Sequence, residues 1–502
     1  MERHDETPIG TGIAGLDEIL DGGFPPNGIY LVEGSPGAGK TTLALQFLLE
    51  GVHRGETVLY LTLSESAADL ERVAHSHGWS LEGVTLREYL LQEPSFGHEQ
   101  VTMFHPAEIE LGETLRRMLA DIDELRPARV VLDALSELRL LSETAIRYRR
   151  QLLVFKQFFL KRRCTVLLLD DRSGQPDDPH MQSVPHGVVV LESFRTPYGG
   201  DRRQLRVAKL RARAFRTGAH DYEIRRGGLE IFPRIVAAAH ASTFARVRQP
   251  SGLDALDALL GGGPLTGTSL MVTGPAGAGK TTIAMLYAIS AARRGERAAV
   301  FSFDETLATL TSRLAEIGLD TAPLAADGRL LLRQVDPVEL SPGEFGHHVQ
   351  VAVEHDAVRL LVIDSLNGYL NSLPDERHLV AQLHELLTYL ANHGVVTLLV
   401  VGQHGLVGPD LESPVDASYL SDSILLLRYF EAGGRVRKAI SVTKKRGGGH
   451  EPTVRELMID GEGIRVGRPL SDFRGVLTGV PEYLGPAERL DPAADAHAGS
   501  VA

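Results

Sequence analysis

One nine-residue turn occurs twice in this chain, as GSPGAGKTT from Gly34 to Thr42 and GPAGAGKTT from Gly274 to Thr282. Both copies fit G-x-x-x-x-G-K-[ST]. Each follows a short apolar run (Ile29–Val32, Leu270–Val272) and precedes a helix-like run. The pattern demands strand, loop and helix, because its glycines let successive N–H groups turn inward on phosphate oxygens. Gly34, Ser35, Pro36, Gly37, Ala38, Gly39, Lys40, Thr41 and Thr42 form the first candidate cradle. Gly274, Pro275, Ala276, Gly277, Ala278, Gly279, Lys280, Thr281 and Thr282 form the second. Lys40 and Lys280 reach terminal phosphates, and Thr41 and Thr281 can place hydroxyls on Mg²⁺. Ordinary glycine-rich turns do not need Lys-Thr at this spacing, so two sites for ATP with Mg²⁺ are expected.

The copies belong to a longer repeat. Lys40 and Lys280 stand 240 residues apart (280 minus 40), and Leu16-Asp17, Leu20, Gly22-Gly23 and Glu65 share that offset with Leu256-Asp257, Leu260, Gly262-Gly263 and Glu305. A domain of about 240 residues has been duplicated in tandem, a size ordinary for one α/β unit and too long for a solenoid repeat. The expected organisation is a first domain over 1–234, a linker over 235–249, a second domain over 250–484 and a disordered tail over 485–502. The tail sequence GPAERLDPAADAHAGSVA carries little that could be buried.

Apolar runs at Val58–Leu63, Val130–Leu132, Val166–Leu169 and Val188–Leu191 read as strands buried on both faces. Between them Leu111, Leu115, Met118, Ile122 and Leu125 line one helix face. The second half repeats the pattern at Ala298–Phe303, Leu360–Ile363, Val395–Val401 and Ile424–Leu427. Strands alternating with helices dictate an α/β fold, a mainly parallel sheet flanked by helices, in each half.

Composition narrows the setting. With 43% hydrophobic and 23% charged residues the chain can build two cores. No apolar stretch approaches about 18 residues, the N-terminus has no signal-peptide core, and the single cysteine, Cys164, excludes an internal disulfide. A cytoplasmic protein with no membrane partner is expected. The 19 histidines show no metal-ligand spacing. A net charge of −13 counts against nucleic acid as a partner, since sequence-independent binding rests on Lys and Arg.

Phosphoryl chemistry needs a carboxylate at a strand end for the metal and another for the nucleophile. Asp133 and Asp364, each closing an apolar strand, are the metal candidates. Asp304-Glu305 ends the strand after the second turn and helix, whereas the first half reads Ser64-Glu65 there. A serine is no base at neutral pH. If the first acid of the pair acts, the first half is slow; if the second acts, through Glu65 and Glu305, both halves work. Late in each half, Lys209/Arg211 and Lys444/Arg446 recur two apart, so both could meet one phosphate cluster, delivered from a neighbouring subunit.

These motifs resemble the KaiC family of tandem RecA-like P-loop ATPases and autokinases. The resemblance runs from GIAGLDEILDGGF through HSHGW at His75–Trp79, KLR and KKRGGGH to SDFRGVLTGVPEY. It implies a homohexamer with ATP between subunits, a first ring of ATPase domains, and a second that also moves phosphate to its own Ser/Thr residues. The family's paired catalytic acids fall on Ser64-Glu65 and Asp304-Glu305, and its interfacial nucleotide contacts on Lys209, Leu210, Arg211, Lys444, Lys445, Arg446, Gly448 and His450. Its phosphorylation pair falls on Ser418-Tyr419, leaving Ser418 as the candidate acceptor of a serine/threonine autokinase in a clock or signalling protein. The competing readings are a RecA-like DNA-dependent ATPase and a nucleotide-gated signalling scaffold with little turnover.

Overall fold

The computed structural model describes residues 7–89, 106–140, 145–171, 182–196, 199–239, 243–370, 376–403 and 418–485. The tail expected over 485–502 lies, past Gly485, outside the described residues. The chain divides into two compact units, Met1–Arg234 and Ile235–Ala502.

The first unit is built on β1 (Ile29–Gly34), β2 (Val58–Thr62), β3 (Val84–Glu88), β4 (Arg129–Asp133), β5 (Thr165–Asp171), β6 (Gly187–Phe194), β7 (Arg202–Leu210), β8 (Ala219–Arg225) and β9 (Gly228–Phe232). They form one nine-stranded sheet in the order β3-β2-β4-β5-β1-β6-β7-β8-β9. Strands from β3 to β6 run parallel, and β6 to β9 continue the sheet as an antiparallel extension. In the second unit β10 (Ser269–Gly274), β11 (Arg297–Ser302), β12 (Leu330–Gln334), β13 (Val358–Asp364), β14 (Val396–Gly402), β15 (Ser423–Ala432), β16 (Arg435–Lys445), β17 (Arg455–Asp460) and β18 (Gly463–Pro469) repeat the same order. The mainly parallel, helix-flanked sheet expected of each half is present in both.

The apolar runs are explained by cover on both faces. Val131, Leu167 and Leu169 pack on one side of the first sheet with Leu43, Phe47 and Leu48 of the helix Lys40–His53. Their neighbours Val130, Leu132, Val166 and Leu168 face the opposite layer, with Met118 and Ile122 of the helix Pro106–Leu125 and Phe155 and Phe159 of Ala145–Leu160. Each fully buried side chain of this size contributes about 1.5–3 kcal/mol, so a polar residue on either face is costly. The second unit alternates likewise, with Val300, Leu360 and Val362 on one face and Phe301, Leu361 and Ile363 on the other.

The segment after β9 packs on the second unit. Ile235 and Ala237 are buried in its core, the Ala237 amide donates to Glu385 (3.1 Å), and Asn392 donates to the Ala237 carbonyl (2.9 Å). Cys164 is buried and free, and burial pushes its thiol up to about 11.

Candidate functional site: two P-loops at the carboxyl ends of the central strands

Each glycine-rich turn leaves the central strand of its sheet and enters a helix, Lys40–His53 or Lys280–Arg293. Gly39 and Gly279 occupy the N-cap positions in left-handed conformation (φ +91° and +105°), and no side chain caps either helix. The first-turn N–H groups are thereby left for an anion, which the helix dipole also favours. A Cβ at Gly37 would meet nothing, so the first loop is an open cradle. Tyrosines brace both loops from behind: Tyr222 donates to the Ala38 carbonyl (2.6 Å) and Tyr429 to that of Ala276 (3.1 Å). Lys40 curls onto the Gly34 and Ser35 carbonyls (2.9 and 3.1 Å), and Lys280 onto Pro275 (2.8 Å).

Register brings the sequence-selected carboxylates to these loops. Asp133 pairs with Thr62 across β2 and β4, and Asp364 with Ser302 across β11 and β13. Beyond each pair the chain turns identically: Leu63 and Phe303 donate to the Asp133 and Asp364 carbonyls (2.6 Å each), and Thr62 and Ser302 hydroxyls donate to the Glu65 and Glu305 carbonyls (2.8 and 2.7 Å). Asp364 is buried, which pushes its carboxyl up to about 6. Thr281 opposes the shift by hydrogen bonding, Asp304 and Glu305 add to it, and Lys280 counters. Burial likewise raises Asp133, while Tyr60, donating at 2.5 Å, holds it down.

The two base candidates sit in different company. Glu65 is raised by burial, then by Asp133, Asp69 and Asp171, against Lys40, and its Oε2 is buried without a hydrogen-bond partner. Glu305 is held by Arg313, whose Nη2 and Nε lie 2.8 and 3.3 Å from its oxygens and whose Nη1 donates to Thr282 (3.3 Å). Asp304 accepts from the Ser365 hydroxyl, whereas Ser64 is exposed. The open first cradle and its orphaned Glu65 oxygen, with an uncapped helix end and a Thr-Asp pair in each unit, fit ATP with a hard cation that takes oxygen ligands. Thr41 with Asp133, and Thr281 with Asp364, would hold Mg²⁺. Among the described residues no group of three or more His, Cys, Asp or Glu could hold a metal.

Three residues near these sites were not singled out from the sequence. Asp171 ends β5 and forms an ion pair with Lys40 at 2.6 Å; Gly402 holds its register position in the second unit. Tyr60 touches Asp133, where the 240-residue offset puts Val300. Arg313 braces Glu305, where the offset puts Val73. The sequence signal was a mismatch between halves, visible once the offset is applied.

The late basic residues lie elsewhere. Leu210 pairs with Gly187, which pairs with Tyr30 at the start of β1, whereas the P-loop follows Gly34 at its end, about 13 Å away. Lys209 donates to the carbonyls of Gln182, Ser183 and Pro185 (2.7, 3.2 and 2.8 Å), and Arg211 to that of Ser183 (3.1 Å). In the second unit Lys444 and Lys445 pair with Ile424 and Ser423, beside the start of β10. Both strands carry a β-bulge there, at Val188/Val189 and Ile424/Leu425. Lys445 binds the Leu260 and Gly449 carbonyls, Arg446 donates to the Tyr419 carbonyl (3.0 Å), and Gly448 and His450 are exposed. Ser418 opens the single turn Ser418–Leu420 at this same edge, where Ser269 donates to the Leu420 carbonyl (3.2 Å). Neither basic cluster reaches the P-loop of its own unit.

The KaiC ATPase family model matches residues 9–235 and again 249–471. The chain belongs to the KaiC family. It is a tandem-domain member of these ATP-binding ATPases, similar along almost its whole length to curated KaiC proteins. The circadian clock oscillator protein KaiC of a Picosynechococcus species is 28% identical, with 96% of this chain and 94% of that protein covered. That of Acaryochloris marina is 27% identical (97% and 93%), and that of Parathermosynechococcus lividus 27% (95% and 89%). Among the described residues no helix is long and apolar enough to cross a membrane.

Proposed function

We propose that this KaiC-family chain assembles into a ring, binds Mg-ATP at both P-loops, and hydrolyses it chiefly in the second unit. The observation that carries this reading is the placement of each basic cluster at the sheet edge away from its own P-loop. Lys209 and Arg211, or Lys444 and Arg446, can meet ATP phosphates only across a subunit boundary, where they would neutralise charge in trans. The homohexamer of the family is the assembly this favours.

In the second unit, Lys280 and the loop N–H groups hold the phosphates while Thr281 and Asp364 supply oxygens to Mg²⁺. Bound there, Mg²⁺ would supply positive charge against that developing on the transferred group. Glu305, or Asp304 beside it, takes the proton of the attacking water as the bond to the ADP oxygen breaks. Arg313 acts through Glu305 as a positioning residue. In the first unit Ser64 removes one acid, which favours slow turnover and a mainly nucleotide-holding role.

Ser418 is the proposed phosphoacceptor. Its turn shares the edge with Arg446, so ATP from a neighbouring subunit would serve it, the same base removing the hydroxyl proton. Tyr419 stands where the family's second acceptor falls, so a single phosphorylation step is expected rather than a two-site cycle. Native mass spectrometry with ATP and Mg²⁺ should give a hexamer, and peptide mapping should find phosphate on Ser418. A monomer in saturating ATP contradicts the trans arrangement, and phosphate on no residue removes the kinase.

A further inference from the structure

Lys40 has no free donor. Its ammonium bears three N–H groups, and they meet the Gly34 carbonyl (2.9 Å), the Ser35 carbonyl (3.1 Å) and the Asp171 carboxylate (2.6 Å). The lysine is almost wholly buried, so its partners are fixed by the protein. The strand sets where Asp171 stands: it is the last residue of β5, in register with Gly34 at the mouth of the loop, with its side chain half-buried. Its neighbour Asp170 faces the other side of the sheet, where Arg139 holds it.

We infer that Asp171 gates the first P-loop against the terminal phosphate, making this site favour ADP over ATP where the second site does not. The inference rests on the reading of the first loop as a nucleotide site. The lysine of such a loop reaches the β- and γ-phosphates, and a γ-phosphate brings further charge to the place where Asp171 holds Lys40. The Asp171 carboxylate stays at the loop mouth, where Asp133 and Glu65 already place negative charge. A diphosphate carries less charge to the carboxylates. In the second unit Gly402 occupies the register position, and Lys280 donates to the Pro275 carbonyl (2.8 Å). The duplicated sites thus differ at the atom that reads the terminal phosphate.

The test uses full-length chains with the second loop disabled by Lys280→Ala, titrated by calorimetry with Mg-ADP and with Mg-AMP-PNP. The gate predicts that ADP binds at least about tenfold more tightly than AMP-PNP. Adding Asp171→Asn should raise AMP-PNP affinity by about tenfold and ADP affinity by much less. Asp171→Gly, which reproduces the second unit's residue, should do the same and guards against a folding defect in one variant. In the reciprocal Lys40→Ala chain the second site should show no such preference. AMP-PNP affinity unchanged or weakened in both Asp171 variants, with ADP still bound, overturns the gate alone. No nucleotide bound by Lys280→Ala chains with or without Asp171 overturns the first nucleotide site, and the gate with it.

Discussion

His220 is wholly buried on β8. Its Nδ1 accepts from the Arg234 amide (2.9 Å), so the neutral ring donates from Nε2 to the Arg216 carbonyl (3.1 Å). Burial pushes this imidazole down from 6.5 to about 4, only partly opposed by the Arg216 carbonyl. The unfolded chain therefore binds the proton first, so stability present above pH 6.5 is lost as pH falls towards 4, by roughly 3 kcal/mol in all. Across the repeat Arg455, paired with Glu451 (2.8 Å), holds the position. Acid unfolding followed by hydrogen exchange should open the first unit before the second, and His220→Gln should flatten that dependence. At the second site, Arg313→Ala should cut ATP turnover roughly tenfold and change the pH–rate profile, with partial rescue by Arg313→Lys; an unchanged profile would leave Arg313 a merely structural residue. Which side chains surround a site was the least legible part of the sequence. Tyr60, Asp133 and Asp171 come from separate strands and Lys40 from the helix that follows β1, and only the pairing of β2 with β4, β4 with β5 and β5 with β1 brings them together. The P-loops and strand-end carboxylates were legible because their chemistry is local.

The inner parallel strands announce themselves as apolar runs because helices cover both faces, although β6 and β15 run three and five residues past the runs. The outermost parallel strands β3 and β12, largely half-buried, gave no such run and were not read from the sequence. The antiparallel strands β7 to β9 do not: Leu205 and Val207 are buried between exposed or half-buried neighbours, and the intervening Arg and Gln residues hide the period. The bulges that turn Lys209 and Lys444 to the sheet edge insert one residue each, so the spacing of Lys and Arg could suggest a shared target but not which end of the sheet they occupy. Glycines separate two element-scale effects. Gly279 has φ +105°, and a Cβ there would lie 2.4 Å from Ile459 Cδ1, whereas Gly295 (φ +91°) has nothing within 4 Å. Gly295→Ala should cost about 1 kcal/mol for the left-handed backbone alone. Gly279→Ala should cost a similar amount for its backbone, Ile459 Cδ1 being the movable end of its side chain, and should also abolish nucleotide binding in the second unit; retained binding would contradict the cradle described at the loop.

At the scale of the whole molecule, duplication has kept the fold and let the sites diverge. Both units share strand order, turn geometry after the metal-binding candidates, and the bulged basic edge. They differ at Ser64 and Asp304, Tyr60 and Val300, Val73 and Arg313, and Asp171 and Gly402. These four differences lie around the P-loops, and on the proposed reading they tilt hydrolysis towards the second unit. The central claim is therefore a division of labour between two nucleotide sites. Its most direct test is steady-state phosphate release by Glu65→Gln and Glu305→Gln chains, which leave both P-loops intact, with hexamer content checked by native mass. Glu305→Gln should lower turnover by about 10²-fold or more while Glu65→Gln retains most of it; equal losses, or the larger loss in Glu65→Gln, would contradict the account.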